Sequence, residues 1–78
     1  MEERTIQTKE ELAFVVFVVE AVAMRRNLLP SAVLDAFTKK SHLLRDYILP
    51  GYEALHTQGR DYIVEDILAE AAFMGVEL

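Results

Sequence analysis

The sequence predicts an all-α fold: a small bundle of four or five short helices packed around a long apolar N-terminal helix. Three observations predict it. The longest apolar run, Leu12 to Met24, is interrupted only by Glu20. No Gly or Pro lies between Met1 and Leu29, so nothing punctuates a short strand there. Beyond Leu29, the breakers Pro30, Pro50, Gly51, Gly59 and Gly75 divide the chain into pieces of helical length.

The first helix needs its own justification, because Phe14 to Val19 is a Val-rich run that would also suit a buried strand. Thr8-Lys9-Glu10-Glu11 stands directly before the run and reads as a capping box. The Thr8 hydroxyl can accept the N–H of Glu11, and the Glu11 carboxylate can accept that of Thr8. Arg25 and Arg26 place positive charge where the C-terminal dipole favours it. The helix is therefore expected over about Lys9 to Arg26.

Leu29, before a proline, is expected to be extended, and Pro30 to open a second helix reaching about Lys40. Val33, Leu34 and Phe37 are spaced to face the core. Ser41 can cap a short third helix, His42 to Ile48, with Leu43, Leu44, Tyr47 and Ile48 for packing. Pro50 can open another short helix through His56, turning Tyr52 and Leu55 inward, with Gly59 left-handed at its close. Asp61 then caps a last helix, Tyr62 to Phe73, whose inward stripe is Ile63, Val64, Ile67, Leu68 and Ala71. Gly75 ends it. The whole chain, 1–78, reads as one helical domain, with residues 1–8 and 75–78 expected to fray.

Composition narrows the function classes. A hydrophobic share of 53% supports a globular core. With no cysteine, disulfides and thiolate metal sites are excluded. The acidic start MEERTIQTKEE is unlike a secretory signal, and the apolar run is too short to span a bilayer. A cytoplasmic location without membrane association is the simplest expectation. A net charge of −5, from eight basic against thirteen acidic residues, argues against nucleic acid as a partner.

Few residues suggest chemistry. His56, Thr57 and Gln58, with Asp66 to orient the histidine, form the one candidate polar cluster. No nucleophile or phosphate loop accompanies it, and a histidine in the last turn of a helix is more simply explained by the dipole. His42, His56 and Asp66 lack the spacing of helical metal ligands, so no metal and no cofactor is assigned. The second and third helices could resemble a helix-turn-helix with Arg45 early in the recognition helix. Asp46 follows at once, however, and Leu43 and Leu44 look like core.

The apolar run carries a different implication. Six consecutive apolar residues wrap past a full helical turn, so that segment has no polar side. A chain this short buries a limited fraction of its surface. A covering partner is expected, a second copy or another protein, meeting Phe14, Val15, Phe17 and Val18. Glu65, Asp66 and Glu70 on the last helix offer an acidic docking patch for a basic partner.

The segment Tyr52-Glu53-Ala54-Leu55-His56-Thr57-Gln58-Gly59, followed by Asp61-Tyr62-Ile63-Val64-Glu65-Asp66-Ile67, resembles a family of small, mostly bacterial proteins known as domain of unknown function 3791. Glu11-Leu12-Ala13-Phe14 and Leu29-Pro30-Ser31 resemble it too, so the likeness runs from about Lys9 to Leu68. Members are often encoded beside proteins resembling ADP-ribosyltransferase toxins. The resemblance thus implies an antitoxin or accessory partner. The expectation is a non-enzymatic protein-interaction module; the alternatives are a DNA-binding regulatory subunit and a small ligand-binding protein centred on His56.

Overall fold

The Thr8 hydroxyl oxygen accepts the backbone N–H of Glu11 at 3.0 Å, and the chain enters its first helix there. The computed structural model describes residues 5–78; of the residues expected to fray, 1–4 lie outside them. Helix α1 spans Lys9–Arg26, as the sequence predicts. The capping box closes one residue earlier than expected. With Thr8 extended, the N–H within reach of the Glu11 carboxylate is that of Gln7, at 2.8 Å.

At the other end, Asn27 adopts the left-handed conformation (φ 57°). Leu28 N–H reaches back to the carbonyl of Ala23 at 2.8 Å, and Asn27 N–H to that of Met24 at 3.4 Å. This is a Schellman closure, with asparagine in the place glycine usually holds. Helix α2, Pro30–Thr38, follows an extended Leu29, with Pro30 in its first turn.

Val33 and Phe37 are fully buried, as predicted, but Leu34 is exposed and Ala36 takes its place in the core. Residues spaced three and four apart share one helix face. Val33, Ala36 and Phe37 make up the buried face of α2, and Leu34, one residue on from Val33, falls on its flank.

The third segment differs in kind. Leu44–Ile48 is a π-helical turn, closed by Leu49 N–H to the Leu44 carbonyl at 3.0 Å. Ser41 does not supply its cap: the residue before the turn is Leu43, with no side-chain cap bond, and Ser41 instead ties off the end of α2, donating to the carbonyl of Ala36 while accepting the N–H of Leu43. The wider turn lets Leu43, Ile48 and Leu49 all point into the core. Two of these, Leu43 and Ile48, stand five residues apart, a spacing that an α-helix would send to different faces.

Helix α3 is a single turn, Tyr52–Leu55, entered through Gly51. A Cβ on Gly51 would stand 2.8 Å from the Tyr47 carbonyl oxygen, so glycine is required there by close approach. Gly59 is extended (φ −72°, ψ 161°), not left-handed, and it caps helix α4, Arg60–Phe73. The chain leaves α3 through right-handed backbone at His56, so no left-handed residue is needed. Asp61, expected as the cap, instead lies in the first turn, where its charge suits the helix dipole.

Ile63, Val64, Ile67 and Ala71 are buried as predicted, with Leu68 partly buried beside them. Gly75 (φ 80°) ends α4 with a second Schellman closure, Val76 N–H to the Ala71 carbonyl at 2.8 Å. The sequence predicts fraying over 75–78; the structure seats Val76 and Leu78, partly buried, against the core. Both α2 and α4 pack on α1, and no strand occurs among the described residues. The core thus gathers along one side of α1, and its other side is left open.

Candidate interaction surface

Which side of α1 is open decides the fate of the four apolar candidates. Phe14, Val15 and Val18 are buried. They belong to the core, and of the three Val15 also lines a groove between α1 and α2. Phe17 alone of the four is exposed, at 37%. The residues the sequence reading missed are Leu12, 51% exposed, Val16, 47%, and Met24, 72%. Ala13 and Glu20 complete this open face. Its signal was present in the spacing: 12, 13, 16, 17, 20 and 24 share one side of a helix. The continuous apolar run concealed it, because buried and exposed positions alike are Val, Leu, Ala or Phe.

Beside this face, α1 and α2 leave an apolar groove of about 260 Å³. Leu12, Val16, Leu34, Leu44 and Ile6 line it, with Val15 and Val19 among its lining and Glu20 the only charge there among the described residues. The exposure of Leu34 thus acquires a context: it forms the opposite wall from Leu12 and Val16.

Of the three acidic candidates on α4, Glu65 and Asp66 are engaged within the chain. Glu65 accepts a hydrogen bond from Arg25 at 2.5 Å, and Asp61 a weaker one from the same guanidinium at 3.3 Å. This bridge joins the end of α1 to the start of α4. Its carboxylates are 91% and 70% exposed at Asp61 and Glu65, so it adds little to stability. Asp66 accepts the hydroxyl of Tyr47 at 2.6 Å. That bond holds the proton on Tyr47 and, with partial burial and the nearby acidic charge, pushes its pKa up to about 12. Glu70 is half-buried. Glu65 and Asp66 therefore do not stand as an unpaired docking patch.

The His56 cluster does not assemble as a catalytic set either. Asp66 is committed to Tyr47, and His56 turns the other way. Its ring stacks on Tyr52, with centroids 4.4 Å apart and planes within 10°. His56 Nδ1 lies 2.7 Å from the Tyr52 carbonyl oxygen; a carbonyl can only accept, so Nδ1 donates. Thr57 donates to the carbonyl of Ala54 at 3.3 Å, and Gln58 N–H to that of Leu55 at 2.9 Å. These bonds finish the α3 turn. Tyr52 in turn meets Phe14 edge-on at 5.3 Å. His56 thus terminates an aromatic row, Phe17–Phe14–Tyr52–His56, running from the open face of α1.

A further cleft of about 480 Å³ lies between the end of α1 and α4, lined by Arg25, Arg26, Glu65, Leu68, Ala69 and Ala72. No group of three or more His, Asp or Glu side chains stands close enough to hold a metal among the described residues. Lys39 pairs with Asp35 at 3.6 Å, and Arg45 with Asp46 at 2.9 Å, where it holds the Asp46 carboxyl below its ordinary range. Arg45 sits in a five-residue π-helical turn, not on a recognition helix. Among the described residues, no helix is long and apolar enough to cross a membrane.

Comparison with known proteins agrees with the resemblance read from the HTQG and YIVEDI segments. The family described as protein of unknown function (DUF3791) matches over residues 13–69, well over half of the chain. No curated protein and no solved structure matches the chain. The match begins inside α1 and ends in the second half of α4, and so takes in the π-helical turn, the aromatic row and all of the groove except Ile6 and Leu12. The chain belongs to the DUF3791 family.

Proposed function

We propose that this protein is a non-enzymatic interaction module that binds another polypeptide through the open face of α1 and the adjoining α1/α2 groove. One observation carries the reading. Leu12, Val16, Phe17 and Met24 expose apolar surface along a single helix side, and the groove beside Leu12 and Val16 has nearly apolar walls. Scattered exposed apolar residues need no explanation, whereas a contiguous stripe beside a groove marks a contact surface. The engagement of His56, Glu65 and Asp66 in bonds within the chain supports a binding role over a catalytic one.

In its specific form, the module is an antitoxin or accessory partner of an ADP-ribosyltransferase-like toxin encoded beside it. That form draws its support from the gene neighbourhood of the family. The test is co-expression with the product of the adjacent gene, followed by purification through a tag on one partner. Co-purification that is lost on Val16→Lys, with the helical circular dichroism retained, is expected. A well-folded chain that ignores both its neighbour and itself at micromolar concentration would overturn the proposal.

A further inference from the structure

Resting on the interaction role proposed above, we infer that the open face of α1 binds a second copy of this chain, with the two α1 helices antiparallel about a twofold axis. Charge and spacing along α1 both favour this pairing. Lys9, Ala13, Val16 and Glu20 stand four, three and four residues apart, and so form one line along the helix. All four are exposed. Neither the Lys9 nor the Glu20 side chain has a hydrogen bond or ion pair among the described residues.

The line is self-complementary when reversed. An antiparallel copy centred between Ala13 and Val16 brings Lys9 level with the second copy's Glu20, and Glu20 level with its Lys9. The two charges lie eleven residues apart on each helix, roughly 16 Å. Ala13 and Val16 then meet at the centre, where the small alanine lets the backbones approach. Leu12 flanks one side of the seam and Phe17 the other, each beside its own symmetry mate, as an isologous interface requires.

A parallel pairing would set Lys9 against Lys9 and Glu20 against Glu20, and like charges oppose it. Complementarity also accounts for the one carboxylate in the apolar stripe. Glu20 faces a cation in the pair, so its contact with the second copy is charge-matched. The net charge of −5 on each copy works against association, and this long-range repulsion is screened at physiological salt. A four-turn helix pair is smaller than the ~800 Å² per partner of a standard interface. A micromolar dimer is therefore expected.

The experiment is sedimentation equilibrium at physiological salt on the wild-type chain, Glu20→Lys, Lys9→Glu and the double exchange. Each single variant sets like charges opposite one another and should raise the dimer dissociation constant about tenfold or more. The double exchange restores both pairs and should return it to within about threefold of wild type. Both positions are exposed, and circular dichroism checks that each variant folds. A wild-type chain that stays monomeric to millimolar concentration overturns the inference, as does a double exchange no tighter than the single variants. A monomer that still binds the adjacent gene product through Val16 removes the dimer and leaves the interaction role standing; a chain that does neither removes both.

Discussion

Tyr47 donates its hydroxyl to Asp66 Oδ2 at 2.6 Å, joining the π-helical turn to the middle of α4. The bond favours the protonated phenol and raises the Tyr47 pKa from 10.0 to about 12. A group whose pKa is raised on folding contributes stability that is complete below its unfolded pKa and is lost as pH rises through the folded one. This contribution should therefore be constant below about pH 10 and should disappear toward pH 12. Tyr47→Phe should lower stability by about 1–2 kcal/mol in urea unfolding at neutral pH. It should also flatten the alkaline part of the stability profile attributable to this group.

Gly51 should be far more sensitive to alanine than Gly59. A Cβ at Gly51 meets the Tyr47 carbonyl oxygen at 2.8 Å, and a backbone atom cannot turn aside. Gly51→Ala should cost about 1–3 kcal/mol. Gly59 has negative φ, with nothing within 4 Å of its Cβ site, so Gly59→Ala should stay within about 1 kcal/mol of wild type. A left-handed Gly59 would give a much larger loss in the same denaturation series.

Thr8→Ala removes the acceptor for Glu11 N–H at the start of α1. A loss of about 1 kcal/mol is expected. Hydrogen exchange should locate it in the first turn, with protection of the Val18–Val22 amides falling only by the global change.

Leu12→Lys and Leu34→Lys, on opposite walls of the groove, should leave stability within about 0.5 kcal/mol of wild type. Ile67→Lys, a fully buried site, should prevent folding. If a surface position such as Leu12 proved as sensitive as Ile67 in the isolated chain, the groove would belong to the core and not to a partner.

Much of the fold was legible because local signals and packing agree. The Thr8 capping box and the Arg25–Arg26 pair bracket α1, and Pro30 starts α2. The legible elements end where a tertiary demand sets the backbone. The π-helical turn exists to bury Leu43, Ile48 and Leu49 together, and no local residue preference announces it. Gly59 was misread because glycine is equally at home before a helix and after one.

The site was less legible than the fold. In a run such as Leu12 to Met24, apolar periodicity is absent, so the sequence states that a surplus exists without saying which side carries it. The docking of α2 and α4 decides that, and it exposes Phe17 while burying Phe14, Val15 and Val18. The pairing of His56 with Asp66 failed for a similar reason. Ten residues and a change of helix separate them, and Tyr47 reaches Asp66 from the π-helical turn.

Solution mass is the most direct test of the claim that the open side of α1 is a protein-contact surface. Wild-type chain should be weighed alone and mixed with the product of the adjacent gene, beside Val16→Lys. A particle heavier than 8.9 kDa in at least one wild-type sample, falling to 8.9 kDa for free Val16→Lys, is the predicted result. A wild-type chain that remains at 8.9 kDa in both samples, from micromolar concentration upward, would contradict it.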